Sequence, residues 1–409
     1  MKISKWKLHA YITVLLLIAN SPLMWKCFIL IPDYIFKGFF LFWCLLGAFQ
    51  LKSSISNRFW EALLAIFFYL VFYIVGSRYD VGGCILNLLL TSIVLYAYSY
   101  MLIKSNKFHY LCEAFVNVLC VIASVSLFFW FFGSILDMLP FSAEIYYSWG
   151  NENNLSKTYL YLYFENYVQN QNLLGLTIPR NCGIFPEAPG YSEFLLFAIG
   201  IAWFAENWKI NKKQLYLLII TLLSTQSTKA IVTLLVVFVV KFLIDNRKVK
   251  NLSMRGLKIL CGIVLAGISL IVLYVIIQNK MGTASYIVRM DDFNAAIKTW
   301  QLNKIFGTGY ENDISIIKNI TTSWLRHNNG LTMGLAILLA EGGIVLLIYY
   351  LGAFIAGLKS KLIVEKKNQY LLFTLLFFLN LLASNTVFRM NTLLIINSAY
   401  AVYVCGKDK

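Results

Sequence analysis

The chain has 409 residues, 59% of them hydrophobic and only 13% charged, with 35 Lys+Arg against 19 Asp+Glu and a net charge of +16. A soluble domain could not cover that much apolar surface. The long continuous runs also exclude a transmembrane barrel, whose strands are short and alternating. The basic excess has no soluble basic face to occupy, which excludes nucleic acid as a partner.

The N-terminal MKISKWKLHAYITVLLLIAN has a basic start and an apolar stretch, with no small-residue cleavage site and a second apolar run soon after. It reads as a first membrane helix and not as a removable signal. Twelve apolar segments follow one another: 8–25, 29–50, 59–76, 83–103, 110–134, 190–206, 214–226, 229–244, 257–278, 331–356, 369–387 and 391–405. Most approach the roughly 20 residues that a bilayer crossing needs. The expectation is an all-α polytopic membrane protein, one integral domain over 1–409, with about twelve transmembrane helices. The polar STQSTK at 224–229 interrupts the weakest pair. The eight cysteines mostly fall inside apolar runs, without a CxxC or a metal-type spacing with histidine, and read as small buried residues.

With the N-terminus placed in the cytoplasm, the inner segments 1–7, 51–58, 104–109, 207–213, 241–258, 357–368 and 406–409 hold 22 of the 35 Lys+Arg. This is the positive-inside pattern. It places both termini inside and leaves two long loops outside, 135–189 and 279–330. Loops of that length on a helical scaffold carry function.

The first loop is crowded with Tyr and Asn. In TYLYLYF, Tyr159, Tyr161 and Tyr163 alternate with Leu160 and Leu162, a period of two that predicts a short strand with Tyr on one face. Such faces stack on sugar rings, with asparagine amides matching sugar hydroxyls. The plain alternative is an aromatic belt at the membrane interface. The loop closes with IPRNCGIFPEAPGYSEFLL, whose Gly and Pro impose a fixed turn-rich backbone that would hold Arg180 and Glu187 at a helix mouth. An ordinary loop-to-helix junction would look the same.

In the second loop, Met290, Phe293, Ile297 and Trp300 fall at helical spacing, predicting an amphipathic helix on the membrane or protein surface. Asp291 and Asp292 are expected in its first turn, where the helix dipole favours acids. FGTGYEND follows as a glycine turn, and the loop ends in Arg326-His327-Asn328. Arg326 reads as an interfacial anchor or a phosphate ligand, and His327 as a structural hydrogen-bonder or a proton acceptor. Arginines 180, 289 and 326 all lie outside, where topology does not call for them. Guanidinium forks grip phosphate oxygens in pairs, so this set suits a lipid-linked pyrophosphate. Glu341, in LLAEGGIVLL, sits mid-helix, where a carboxylate is a functional candidate or a partner for another helix. Glu61, Glu113 and Lys229 are similar but nearer helix ends. Asp291-Asp292 and Glu311-x-Asp313 are the carboxylate pairs, and neither is read as a metal site.

These residues resemble the shared core of the bacterial O-antigen polymerase and ligase superfamily (the Wzy and WaaL families). The matching features are Arg289, Trp300 one short helix later, IFGTGYEN, HNNGL and EGGI. Upstream, PRNCGIFPEAPGYSEF is similar to the Arg-Gly-Phe-Pro stretch of those proteins, and LLSTQSTKAIV to their Ser/Thr-rich mid-membrane break. The resemblance covers about half the chain as pattern. It implies a metal-independent, cofactor-free glycosyltransferase of the integral-membrane C type in the bacterial inner membrane. The implied donor is a sugar chain on undecaprenyl pyrophosphate, and the implied further partner is a chain-length regulator. Arg180 and Arg289 would bind pyrophosphate, Arg326 would add a contact, and His327 or Glu187 would be the base. A polymerase passes the chain to the next lipid-linked repeat; a ligase passes it to lipid A-core. A polymerase is the expectation, with a lipid-linked oligosaccharide flippase as the reading from another class.

Overall fold

The computed structural model describes residues 4–29, 32–51, 53–149, 152–166, 171–173, 176–204, 211–246, 281–326 and 330–408, with isolated positions at 256, 267, 274 and 278. Among these residues the chain is mostly helical. Its helices are α1 (Lys5–Ala19), α2 (Met24–Ile29), α3 (Asp33–Gln50), α4 (Asn57–Ser77), α5 (Val81–Lys104), α6 (Phe108–Ile135) and α7 (Ala188–Phe204). They continue as α8 (Lys212–Ser224), α9 (Thr228–Asn246), α10 (Ala284–Leu302), α11 (Asp313–Ile317), α12 (Gly334–Leu358), α13 (Lys367–Leu382) and α14 (Met390–Lys407).

Among the described residues four helices, α4, α5, α6 and α12, are long and apolar enough to cross a membrane, which marks a membrane protein. Twelve full-length spans are not evident. Four helices are too short: α1 has 15 residues, α7 17, α8 13 and α13 16. At about 1.5 Å per residue each falls short of a hydrocarbon core about 30 Å thick. The expected segment 257–278 lies outside the described residues apart from isolated positions. Large apolar side chains stand exposed on the outer faces, among them Phe49, Phe68, Phe72 and Val75. Tyr96, Tyr98 and Tyr100 of α5 are sealed inside against its neighbours.

At one end of the helical body Arg58, Lys104 and Asp408 meet: Lys104 Nζ lies 3.4 Å and Arg58 4.0 Å from the Asp408 carboxylate. Lys7 pairs with Glu113 at 3.8 Å. Residues from three of the segments grouped by charge counting, 51–58, 104–109 and 406–409, therefore meet at the C-terminal end of α14. The opposite end of α14 begins after Arg389, beside the site described below.

The first long loop departs from an all-α expectation. Strands β1 (Ala143–Trp149), β2 (Glu152–Tyr159) and β3 (Tyr163–Asn166) form an antiparallel sheet, and β4 (Gln171–Leu173) pairs with β5 (Leu176–Ile178). TYLYLYF is not one strand. It is a hairpin: Tyr159 pairs with Tyr163, Leu160 and Tyr161 take left-handed φ of 53° and 57°, and Leu162 N–H donates to Tyr159 O at 3.0 Å. The alternation misled because a tight turn reverses the chain where the period of two was still running. The sheet packs on α2, where Met24, Tyr147 and Phe164 form a small core.

In the second loop α10 starts earlier than its pattern suggested. Thr283 caps it, its side chain accepting from Tyr286 N–H. Asp291 and Asp292 thus lie two turns inside and not in the first turn. The face that is buried holds Asp291, Asp292, Ala295, Ala296 and Thr299, while Met290 and Phe293 are exposed. α10 therefore turns its small and polar side to the protein and its apolar side outward, as a helix at a lipid surface does.

α12 is broken at Gly343, whose φ of 59° and ψ of −164° are not helical. The glycine turn after α10 fills the break: Thr308 N–H donates to Ala340 O at 2.8 Å and Gly309 N–H to Glu341 O at 2.9 Å. On the other side Ile344 and Val345 N–H donate to Lys304 and Ile305 carbonyls. Backbone groups freed by a break inside a membrane helix need partners, and here the loop supplies them.

Candidate functional site

Two turns lie side by side near the start of α14. The first joins α8 to α9 through Thr225, Gln226 and Ser227, with Gln226 in a left-handed φ of 49°. The second joins α13 to α14 through residues 383–389. Two outer-loop segments descend onto them. Asn181 anchors one: its N–H donates to Ser224 O at 3.1 Å and its side-chain amide to Ser224 Oγ at 2.9 Å. Arg180, the neighbouring residue, is thereby led to the first turn, where its Nε donates to Thr225 O at 2.9 Å. The other segment is the start of α10, from which an Arg289 terminal nitrogen donates to Ala383 O at 3.4 Å.

Arg180 and Arg289 lie within electrostatic reach of one another, and both within reach of Glu187. Glu187 precedes the first turn of α7, whose Tyr191 N–H donates to Glu187 O at 3.2 Å. Burial pulls both guanidinium groups below their ordinary range. For Arg180 the charge of Arg289 adds to that pull, while Cys182 and Glu187 oppose it. For Arg289 the opposing groups are Asp292 and Glu187. Both arginines are half-buried. Three of the expected residues, Arg180, Arg289 and Glu187, are thus brought together from positions up to 109 apart in sequence.

Three residues that sequence reasoning did not place here belong to the same cluster. Lys229, at the start of α9, hydrogen-bonds Ser384 Oγ and lies within reach of Glu193, Arg289 and Arg389. Arg389 sits 3.6 Å from the Glu193 carboxylate. Glu193 is 1% exposed and accepts from the Asn391 side-chain amide at 2.8 Å. A signal did exist for Arg389: it is a cation in an outer link, as Arg180 and Arg289 are. Nothing in the sequence pairs Glu193 with it, because the contact spans 196 positions.

Arg326 has a different surrounding. Its side chain is 2% exposed and lies 2.5 Å from Asp292 and 3.6 Å from Asp291. Asp292 also accepts from the Thr332 amide and hydroxyl at 2.9 and 2.6 Å. Arg326 is a buried tie between α10 and the segment before α12, and the expectation of an open phosphate contact is corrected accordingly. Two of its nitrogens, Nε and one terminal nitrogen, have no partner among the described residues. His327 lies outside the described residues. Tyr159 and Tyr163 are corrected too. Tyr159 is 3% and Tyr163 0% exposed, and their rings sit 5.7 Å apart inside the sheet, so neither offers a face to a sugar. Tyr161 is half exposed at the hairpin tip, held by Trp25 Nε1–H donating to its carbonyl at 2.9 Å.

Four cations and two carboxylates form the cluster, an excess of two positive charges, or of one when the Arg326–Asp291–Asp292 knot is included. A partly desolvated excess of positive charge is costly unless an anion joins it. The arrangement can hold a phosphate group and stabilise negative charge leaving on it. No group of three or more metal-ligating side chains occurs among the described residues. No protein-family model, curated protein or solved structure matches the chain.

Proposed function

We propose that the chain is an integral-membrane glycosyltransferase that polymerises lipid-linked repeat units of an O-antigen or related surface polysaccharide. The reaction takes place at the outer side of the bacterial inner membrane. The observation that carries this reading is the convergence of Arg180 and Arg289, each half-buried and within electrostatic reach of Glu187, on the two adjoining turns at Thr225 and Ala383. In the reaction, a hydroxyl of the incoming lipid-linked repeat attacks the anomeric carbon of the growing chain. The bond from that carbon to the pyrophosphate oxygen breaks, and undecaprenyl pyrophosphate leaves with the electron pair. Arg180 and Arg289 bind the pyrophosphate and stabilise its developing charge. The hydroxyl proton goes to a base. His327 holds that role by resemblance, and Glu187, within electrostatic reach of both arginines, is the alternative. The scaffold belongs to the same proposal: about twelve spans of the C type, two outer loops, both termini inside and a chain-length regulator as partner. Inner charges gathered at one end of α14 and the arginine cluster at the other support that orientation.

Deleting the gene and running the surface polysaccharide on a gel tests the reading. A core band with a single repeat and no ladder is the polymerase outcome. Loss of every repeat overturns it; polymer accumulating on the lipid carrier then identifies a ligase. Single units trapped on the inner face identify a flippase. That last reading is favoured by one observation, the broken α12 with Glu341 at the break.

A further inference from the structure

The cluster contains more cation than a single phosphate needs, and the adjoining turns sort it. Arg180 and Arg289, bonded to Thr225 O and Ala383 O, both lie within electrostatic reach of Glu187. Lys229 and Arg389 share a second, Glu193. Arg289 lies within reach of Lys229 as well as Arg180, so the two pairs adjoin. Each pair is positioned by its own elements. The first comes from the two outer loops. The second comes from the two turns beneath them, with Lys229 fixed by Ser384 and Arg389 fixed by the Glu193–Asn391 contact. Lys229 also stands in the first turn of a 19-residue helix, where backbone N–H groups add positive potential. All four cationic residues are half-buried.

We infer that Lys229 and Arg389 form a second anion subsite, so that the cluster takes a diphosphate, one phosphate on each cation pair. This rests on the proposed reading for the identity of the donor, but the two-pair geometry stands apart from it. A diphosphate about one P–O–P bridge long carries two to three negative charges, which matches two adjoining pairs better than one. Lys229 here is a ligand of the substrate: its ammonium is a compact point charge with rotatable donors, suited to a bridging or terminal oxygen that the planar guanidinium groups leave open.

The test uses the full-length protein in lipid nanodiscs with a short-chain polyprenyl diphosphate as probe. Loss of one charge-assisted contact predicts roughly tenfold to hundredfold weaker binding in Lys229→Met. Lys229→Arg keeps a cation and retains most of the affinity. Ser384→Ala, which only unties Lys229, gives a smaller loss and guards against a Lys229→Met that fails to fold. Inorganic pyrophosphate displaces the probe at concentrations where inorganic phosphate does not. Unchanged binding in Lys229→Met and Ser384→Ala, or equal displacement by phosphate, overturns the second subsite while leaving the Arg180–Arg289 reading intact. If the wild-type protein binds pyrophosphate and a nucleoside diphosphate but not the polyprenyl probe, the subsite stands and the lipid-linked donor falls.

Discussion

Gly307 presses against the backbone of Glu341: a Cβ at position 307 would lie 2.4 Å from the Glu341 carbonyl carbon and oxygen. The relationship is mutual, since a Cβ at Gly343 would lie 2.2 Å from Ile305 O. Both glycines also hold positive φ, 67° and 59°. The outer turn and the helix break are therefore one structure made of two sequence segments.

Substituting alanine at Gly307 or Gly343 adds the left-handed cost of about 1–2 kcal/mol per residue to a backbone clash. Both variants are expected to lower the melting temperature in detergent by several degrees. Gly82→Ala, where no atom lies within 4 Å, leaves it unchanged. A melting curve of Gly343→Ala that superposes on wild type would remove the docking account.

Arg180→Ala and Arg289→Ala are each expected to abolish polymer while the protein inserts at normal levels. Each loses a charge-assisted contact worth about 1.5–3 kcal/mol to the leaving group, a tenfold to hundredfold fall in rate or more. Full activity of either variant in a quantified membrane preparation sinks the pyrophosphate clamp. His327→Ala separates the bases: retained activity removes His327 from that role and directs attention to Glu187.

Asp291 has a pH signature. Burial opposes its ionisation, but hydrogen bonds from the amides and hydroxyls of Thr322 and Thr321 outweigh that and hold the carboxyl at about 2. Against roughly 3.9 in an unfolded chain, a folded value that is lowered stabilises above the unfolded value. That stabilisation is lost as pH falls through about 2. The segment 321–326 is thus expected to stay docked at pH 5 and to release between about 4 and 2. Limited proteolysis across that range checks it. Asp291→Asn should be cut more readily at pH 5 and show little further change on acidification.

Cys182 lies at the floor of the first outer loop, two residues after Arg180. Burial pushes its thiol up to about 12, with Arg180 pulling the other way. It should resist maleimide at pH 8 in the folded protein and react only after denaturation. Rapid labelling in native membranes would mean that the backbone carrying Arg180 is open to solvent and that the cluster is wrongly drawn.

How far the sequence reached differs by element. The aspartates of α10 were visible as a pair, yet their role was misplaced by one helix start, because a Thr283 cap leaves a weak trace among other threonines. TYLYLYF carried a strand signal and hid its turn, since Leu and Tyr are not residues that announce a left-handed backbone. Arg326 looked like its two fellow arginines until Asp291 and Asp292 closed over it.

What the sequence by itself determined was the solvent. Apolar runs set the chain in a bilayer, since only burial in lipid offsets so much apolar surface. What only the tertiary structure decided was company. Whether a guanidinium is a ligand or a tie depends on which carboxylates lie within a few ångströms. Those carboxylates come from helices far away in the chain, as Glu193 does for Arg389. Electrostatics at that range is set by packing, which no local pattern of residues records.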